Sequence, residues 1–282
     1  MADKKMRKGQ QIGIVATASA VQEVGFNEEE EKGPLVILNA GRAGSGKTNA
    51  LETLITLPGR KILLDFDRNS NILFRRFREM EAAGKISSEQ RQSFKRIRFG
   101  KDMQDPIVYP AATNYLDELR KTAKEDPVSV LIIDTLTSLG TAAQNDEMQA
   151  NNKLGEIPNR DDYHIAMHAI KRLLFTACSF PSTHANILNC HIKRDKDGES
   201  GRYINEISTI GQASRDDIPN LFAEIYYSFV LPAEESKNNR PRFVWQTLQT
   251  TQQIARSALG LEDPCEQDYM IPLKIHHGED LP

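Results

Sequence analysis

Residues 41–48 read Gly41-Arg42-Ala43-Gly44-Ser45-Gly46-Lys47-Thr48, a full match to the pattern G-x-x-x-x-G-K-[ST]. The glycines allow a tight loop whose backbone N–H groups point at one anion, because larger side chains would fill that space. A helix that begins near Lys47 adds its positive N-terminal end. The Lys47 ammonium reaches terminal phosphates, and the Thr48 hydroxyl is a ligand for Mg²⁺. This stretch therefore predicts a site for ATP and Mg²⁺.

The sequence on both sides of the motif supplies the strand and the helix that it needs. Residues 35–38 form a short apolar run after Gly33-Pro34, which is typical of a buried central strand. Beyond the motif, apolar side chains recur at helical spacing from Leu51 until Pro58-Gly59 ends the helix. The context predicts an α/β fold with the phosphate-binding loop between a strand and a helix.

The composition sets the broad class of the protein. A chain of 282 residues fits one large α/β domain with tails or two small domains, and no linker is visible in its middle. A net charge of -3 with 39% hydrophobic residues gives no strong nucleic-acid or disorder signal for the whole chain. Three widely spaced cysteines indicate a reducing compartment, and no run is long enough to span a membrane. We expect a cytoplasmic protein.

The chain divides into three predicted parts. Residues 1–33 are an N-terminal arm, 34–256 the ATPase core and 257–282 a C-terminal tail with a loose pattern. Within the arm, the small apolar piece at residues 12–24 could form a strand or short helix that docks on a neighbouring subunit.

Aspartates end two of the predicted strands. Residues 61–67 end in Asp65 and Asp67, and residues 128–135 carry Asp134 near their end. In open α/β sheets, ligands bind outside the carboxyl ends of the strands. Asp134 is predicted to hold Mg²⁺ or its water opposite Thr48. Asp67 either acts on the phosphates or caps the following helix, and its spacing does not decide between these roles.

A further strand is predicted at residues 185–191, and it ends in the polar residue His191. His191 could sense the terminal phosphate or could be a partly buried histidine bonded to a neighbour. Residues 144–162 and 193–215 are both predicted to be long loops at the nucleotide edge of the sheet. The second loop offers a possible stacking group and several possible phosphate contacts: Tyr203, with Lys193, Arg194, Lys196, Arg202 and Arg215.

Two further patterns have both an ordinary and a functional explanation. Residues 68–101 are rich in arginine with phenylalanines between them. This pattern fits either nucleic-acid contact or two helices with arginines on the solvent-exposed face and phenylalanines on the apolar face. His164 and His168 have the spacing of metal ligands on a helix, but no third ligand is placed near them in the sequence, so zinc is not expected.

Towards the C-terminus, residues 224–230 and 242–246 predict two antiparallel strands joined by the turn at residues 234–239. Arg240 and Arg242 lie at the start of the second strand, where they are expected to be exposed and cationic.

In chain order, these parts resemble the RecA-like recombinase core, and most closely the small phage members that act in single-strand annealing. The resemblance covers about residues 34–249. It implies a RecA-like P-loop NTPase fold, with a mostly parallel sheet flanked by helices and a C-terminal antiparallel hairpin.

The resemblance also implies roles for individual residues. Asp67 would polarise the attacking water, a position where RecA-type proteins more often have Glu. His191 falls where the family has Gln or His, a residue that couples the phosphate to the DNA-binding loop. The two predicted loops match the pair that lines single-stranded DNA. Arg240 and Arg242 match hairpin residues that reach a neighbour's nucleotide. Lys47, Asp67, Asp134 and His191 are thus the predicted catalytic set.

The leading hypothesis is a Mg²⁺-dependent, DNA-stimulated ATPase. It would assemble as a ring or filament of identical subunits on single-stranded DNA and promote recombination or annealing, with a single-strand-binding protein as a candidate partner. If the protein is phage-encoded, it would act in a bacterial host cell. The alternative is a RecA-fold regulatory, scaffold or motor protein without strand exchange. The near-neutral net charge and the aspartate at position 67 favour that alternative.

Overall fold

The structure is a computed structural model that describes residues 32–102, 104–196, 201, 203–210, 215, 217–235, 240–278 and 281. The arm predicted at residues 1–33 therefore lies outside the described residues except for its last two positions.

One sheet of nine strands forms the centre of the described part of the chain. The strands are β1 (Leu35–Gly41), β2 (Arg60–Asp65), β3 (Phe94–Ile97), β4 (Val128–Asp134), β5 (Ala185–Lys196), β6 (Tyr203–Ile207), β7 (Glu224–Leu231), β8 (Arg242–Gln246) and β9 (Cys265–Glu266). The helices are α1 (Lys47–Ala50), α2 (Asn71–Ala82), α3 (Ser88–Ser93), α4 (Val108–Thr122), α5 (Leu136–Ala150), α6 (Arg160–Cys178) and α7 (Met270–His277). Short 3-10 helices cover Leu51–Thr56, Ile218–Leu221 and Ala233–Glu235.

The strand order is β3-β2-β4-β5-β1-β7-β8-β9, with β6 paired to β5 outside this path. All neighbours from β3 to β7 are parallel, and the pairs β7–β8, β8–β9 and β5–β6 are antiparallel. This arrangement confirms the predicted α/β fold class and the predicted C-terminal hairpin. Because parallel strands share one direction, the carboxyl ends of β1, β2, β4 and β5 meet at the same edge.

Both faces of the parallel sheet are covered by helices, which explains why β4 is buried at every position. Leu131 and Ile133 of β4 belong to the core cluster that includes residues of α4, α5 and α6. The alternate residues Val130 and Ile132 belong to the cluster that includes α1, α2 and α7. No helix in the described part of the chain is long and apolar enough to cross a membrane.

The first predicted loop, residues 144–162, is mostly helical. α5 continues to Ala150 and α6 begins at Arg160, so only residues 151–159 connect the two helices. Leu139, Ala142 and Met148 pack α5 against the core, and its polar side chains lie on the other side. The prediction was wrong because small buried residues carried the apolar face without an obvious period.

The second predicted loop, residues 193–215, contains a β-hairpin. β5 runs on to Lys196, and β6 returns along it with Lys196 opposite Tyr203 and Ile192 opposite Ile207. The prediction was wrong because the polar residues of this hairpin alternate with few apolar ones, so the sequence carries little strand signal.

The segment from residue 257 onward is packed into the core, although the sequence predicts a loose tail there. Trp245 of β8 contacts the buried Tyr269, with ring centroids 4.9 Å apart. Leu273 of α7 is also fully buried, and β9 pairs with β8. A two-residue strand and an eight-residue helix are too short to be recognised from periodicity, so tertiary packing decides their structure.

The arginine-rich segment, residues 68–101, forms α2, α3 and β3. Phe77 is buried on α2, as expected for the apolar face of a helix, but Phe94 is buried at the start of strand β3. Three phenylalanine rings meet there at centroid distances of 5.1 to 5.9 Å. The aromatic residues of this segment are therefore core residues.

Candidate active site

The glycine-rich loop follows β1 and leads into α1. Gly46, at the N-terminal boundary of α1, has φ of 93°, a conformation that residues with a Cβ rarely adopt. A Cβ there would also lie 2.6 Å from Phe243 Cδ1 and 2.6 Å from Gln267 Oε1. The loop lines a cavity of about 290 Å³ together with Asp67, Asp134 and His191. The structure thus brings the four predicted catalytic residues to one cavity, since Lys47 also lines it.

Lys47 is buried, and its ammonium is held at the base of this cavity. It donates to the backbone oxygens of Gly41 at 2.8 Å and Arg42 at 2.9 Å. Its Nζ also lies 3.5 Å from Nδ1 of His191. Burial lowers the pKa of Lys47 below its ordinary value, and the nearby Asp134 carboxylate opposes this effect. Lys47 lines the cavity, so its ammonium is within reach of an anion that enters.

Thr48 and Asp134 form the predicted pair for Mg²⁺. The Thr48 hydroxyl donates to Asp134 Oδ2 at 2.8 Å, and Asn189 Nδ2 donates to Asp134 Oδ1 at 3.1 Å. Complete burial raises the pKa of Asp134 to about 6, and the carboxylates of Asp67 and Asp65 act in the same direction. A hydroxyl beside a carboxylate offers the hard oxygen ligands that Mg²⁺ prefers, so these residues fit that ion.

Asp67 is held by three side chains. Its Oδ1 accepts from the Thr135 hydroxyl at 3.1 Å and from the Ser138 hydroxyl, and its Oδ2 lies 3.1 Å from His191 Nε2. Burial raises the pKa of Asp67, but the hydrogen bonds from His191, Ser138 and Thr135 outweigh burial and leave the pKa below its ordinary value. Asp67 does not cap α2, since α2 has Ser70 at its N-terminal boundary. This carboxylate is therefore ionised at neutral pH and faces the phosphate cavity.

His191 lies between Lys47 and Asp67. An ammonium can only donate, so Nδ1 accepts from Lys47, and Nε2 then carries the hydrogen donated to Asp67. The backbone N–H of His191 donates to Thr137 Oγ1 at 3.0 Å, and that hydroxyl donates to the backbone oxygen of Ser208 at 2.7 Å. The imidazole thus connects the phosphate-binding lysine to the ionised carboxylate, and Thr137 ties its backbone to the segment after β6.

Three site residues escaped the sequence prediction: Asn189, Thr135 and Ser138. Asn189 lies on β5 beside Asp134 of β4, and it is a polar residue within an apolar strand. Thr135 is the N-cap of α5, and Ser138 follows three residues later. Two sequence signals could have identified these residues. One is an uncharged polar residue within a buried strand, and the other is a pair of capping residues directly after a strand.

Asp65, the other carboxylate of the β2 end, has a structural role. Its buried Oδ2 accepts from Ser70 Oγ at 2.6 Å and pairs with Arg98 Nε at 2.8 Å. Asp65 is not among the described residues that line the phosphate cavity. The pairing with Arg98 ties the end of β2 to the segment that follows β3.

Comparison with known families identifies the family of this chain. The model of the AAA domain family matches residues 34–258. The chain belongs to the AAA domain family. No curated protein matches the chain. Among solved structures, an ATPase from the type III secretion system of pathogenic bacteria is similar at 15% identity, with a TM-score of 0.43. That match covers 68% of this chain and 50% of the other, so this AAA domain spans half the length of the matched protein.

One of the two hairpin arginines of the AAA domain, Arg242, lies near the domain's own phosphate-binding loop. Arg242 forms an ion pair with Glu266 of β9 and lines a groove that also includes Gly46. Arg240 is exposed just before β8. The assignment of both arginines to a neighbour's nucleotide remains a prediction, and for Arg242 it would require the Glu266 pair to open.

Most of the residues predicted to contact DNA lie on the β5–β6 hairpin, where acidic neighbours offset part of their charge. Lys193 Nζ donates to Asp195 at 2.6 Å, and Arg215 pairs with Glu206 at 2.9 Å. The Arg194 guanidinium lies over the ring of Tyr203, 4.4 Å from its centroid, and this ring is 52% exposed. Lys196 is exposed at the end of β5, and Arg202 lies outside the described residues. The structure thus places a cation and an exposed aromatic ring together on the hairpin.

His164 and His168 are both exposed on α6. The described residues contain no group of three or more side chains that could hold a metal ion. Both histidines thus lie on the solvent-exposed face of α6.

Proposed function

We propose that the protein is a Mg²⁺-dependent ATPase that oligomerises on single-stranded DNA, is stimulated by it, and promotes recombination or single-strand annealing. The observation that carries the proposal is the course of β5. This one strand supplies His191 to the phosphate cavity, holds Asp134 of that cavity through Asn189, and supplies Arg194 to the hairpin with the exposed Tyr203.

The proposed hydrolysis begins with the triphosphate in the glycine-rich loop. The buried Lys47 ammonium would exchange its backbone partners for phosphate oxygens, whose negative charge it stabilises better than carbonyl dipoles do. Thr48 and Asp134 would hold Mg²⁺, which would act as a Lewis acid and neutralise the charge that develops on the transferred phosphoryl group.

Asp67 would orient the attacking water, because its pKa is low enough to keep it ionised. Thr135 and Ser138 bind one of its oxygens and fix the carboxylate, which leaves the oxygen facing His191 to accept from water. Removal of the Lys47 contact by a bound phosphate would free His191 to move. Its strand would carry that movement towards the hairpin.

The test is ATP hydrolysis with and without single-stranded DNA, at low and moderate salt, for the wild type and Lys47→Ala. We expect stimulation by DNA that weakens with salt, because phosphate contacts release counterions. We also expect Lys47→Ala to abolish both rates. Hydrolysis by Lys47→Ala at the wild-type rate would refute the site assignment.

A second candidate is an AAA domain that binds ATP as a scaffold, regulator or motor and carries out no strand exchange. The neutralisation of Lys193 by Asp195 and of Arg215 by Glu206 favours it, because paired cations contribute little to phosphate binding. ATP binding that is intact, together with hydrolysis that DNA does not change at any salt concentration, would support this candidate against the first.

A further inference from the structure

A second cavity adjoins the phosphate cavity. It is a groove of about 690 Å³, and both cavities include Gly46 and Asn49 in their linings. Its walls come from three parts of the chain: the first turns after the glycine-rich loop, the outer side of α2, and the C-terminal strands β8 and β9. The lining includes Asn49, Arg76, Met80, Phe243 and Gln267. A ligand whose phosphates occupy the loop would therefore extend past Gly46 and Asn49 into this groove.

The C-terminal wall of the groove is tied directly to the phosphate-binding loop. The Gln267 carboxamide is buried and donates to the backbone oxygen of Ser45 and to that of Val244, both at 2.9 Å. The backbone N–H of Tyr269 donates to Thr53 Oγ1 at 3.0 Å. These bonds hold the wall in a set position relative to the loop.

The groove offers an aromatic surface, and its two arginines are both paired with carboxylates. The Phe243 side chain is 40% exposed and lies against Gly46, while Met80 contributes a polarisable thioether from α2. Arg76 pairs with Glu52 at 2.8 Å, and Arg242 pairs with Glu266. Because both guanidinium groups are paired with carboxylates and Asp268 adds a third carboxylate, the described lining of the groove has no surplus cation for another phosphate. A flat, uncharged ring suits it better.

We propose that this groove binds the purine base and ribose of the nucleotide, with the base stacked on Phe243. The proposal rests on the proposed function, since it places the rest of the ATP molecule whose phosphates occupy the loop. A volume of this size lies in the range of pockets that hold small ligands. Asn49, at the junction of the two cavities, carries a carboxamide that can both donate to and accept from ribose hydroxyls. The C-terminal segment then contributes residues that contact the nucleotide.

The experiment compares ATP with inorganic tripolyphosphate, which has the phosphates but no base. Isothermal titration calorimetry with excess Mg²⁺ would measure both affinities for the wild type, Phe243→Ala, Phe243→Leu and Phe243→Tyr. Leucine keeps apolar bulk at the position and tyrosine keeps the ring, so the pair separates stacking from packing. Phe175→Ala is the matched control, because Phe175 is an aromatic residue on α6 with 58% exposure.

We expect Phe243→Ala and Phe243→Leu to weaken ATP binding about tenfold, the effect of losing one stacked base, with tripolyphosphate changing less than about twofold. Phe243→Tyr and Phe175→Ala should retain ATP affinity. Equal ATP affinity in the wild type and Phe243→Ala would overturn the subsite. An equal loss of both ligands in the alanine and leucine variants would also overturn it, because Phe243 would then act only by packing on Gly46. Binding of neither ligand by the wild type would refute the nucleotide function itself and the subsite with it.

Discussion

The phosphate cavity and the β5–β6 hairpin share strand β5, yet their polar groups are satisfied in different ways. In the cavity, buried groups depend on one another across distant parts of the chain, as Asp67 does on Ser138 and His191. On the hairpin, charges pair with near neighbours, as Lys193 does with Asp195. Buried polar groups cannot form replacement hydrogen bonds with water, whereas exposed polar groups can. Substitutions in the cavity should therefore cost far more than substitutions on the hairpin.

The largest effect is expected for Asp134→Asn, which keeps the shape of the side chain and removes its charge. Asn189 can still donate to the new amide oxygen, so the fold should survive. Loss of the carboxylate ligand should lower Mg²⁺-dependent ATP hydrolysis by roughly 100-fold or more. Steady-state hydrolysis over a Mg²⁺ titration measures this, and a thermal melt checks folding. Hydrolysis within threefold of the wild type would contradict the assignment of Asp134.

A smaller loss is expected for His191→Ala. Asp67 would lose one of its three side-chain partners, and Lys47 would lose its contact with Nδ1. We expect kcat to fall by roughly 10- to 100-fold, in the range of losing a residue that orients a catalytic group, while KM for ATP changes little.

His191→Gln is the matched variant for that test. A glutamine amide can donate to Asp67 and accept from Lys47, so it should restore part of the rate. A loss of ATP binding in His191→Ala, or an unchanged kcat, would contradict the positioning role.

On the hairpin, Tyr203→Ala and Arg194→Ala should each weaken single-stranded DNA binding by roughly three- to tenfold, because each removes part of the exposed cation–aromatic pair. Fluorescence anisotropy at two salt concentrations measures the affinity. Lys193→Ala is the matched control, since Asp195 already neutralises that lysine, and its effect should be smaller. A larger effect for Lys193→Ala than for Arg194→Ala would contradict the pairing as the reason.

The smallest effect is expected at Thr137, the link between the two regions. Thr137→Val keeps the side-chain shape and removes the hydroxyl that bridges the His191 N–H and the Ser208 oxygen, while the direct bond from the Ser208 N–H to the His191 oxygen remains. We expect the ratio of DNA-stimulated to basal hydrolysis to fall about threefold, because substitutions between two coupled sites typically change the coupling free energy by about 0.5–2 kcal/mol and threefold lies at the low end of that range. Thr141→Val, one turn further along α5, is the control. An unchanged ratio in Thr137→Val would leave the two regions uncoupled through this residue.

The sequence by itself determined the nucleotide-binding edge. The glycine-rich loop, its flanking strand and helix, and the aspartate at the end of β4 are local patterns, and parallel strands place their carboxyl ends at one edge. The role of Asp67 was ambiguous from spacing alone. Only the contacts with Thr135, Ser138 and His191, which come from three other stretches of the chain, place this carboxylate in the cavity.

Only the tertiary structure determines the elements that are held in place by contacts with distant parts of the chain. The segment after residue 257 lacks a clear period, yet Tyr269 is buried against Trp245 and Gln267 bonds to the phosphate-binding loop. Gln267 and Ser45 are separated by 222 positions in the chain. Periodicity reports only which face of an element is buried and not which distant element covers it. The groove beside Gly46 could therefore emerge only from the folded chain.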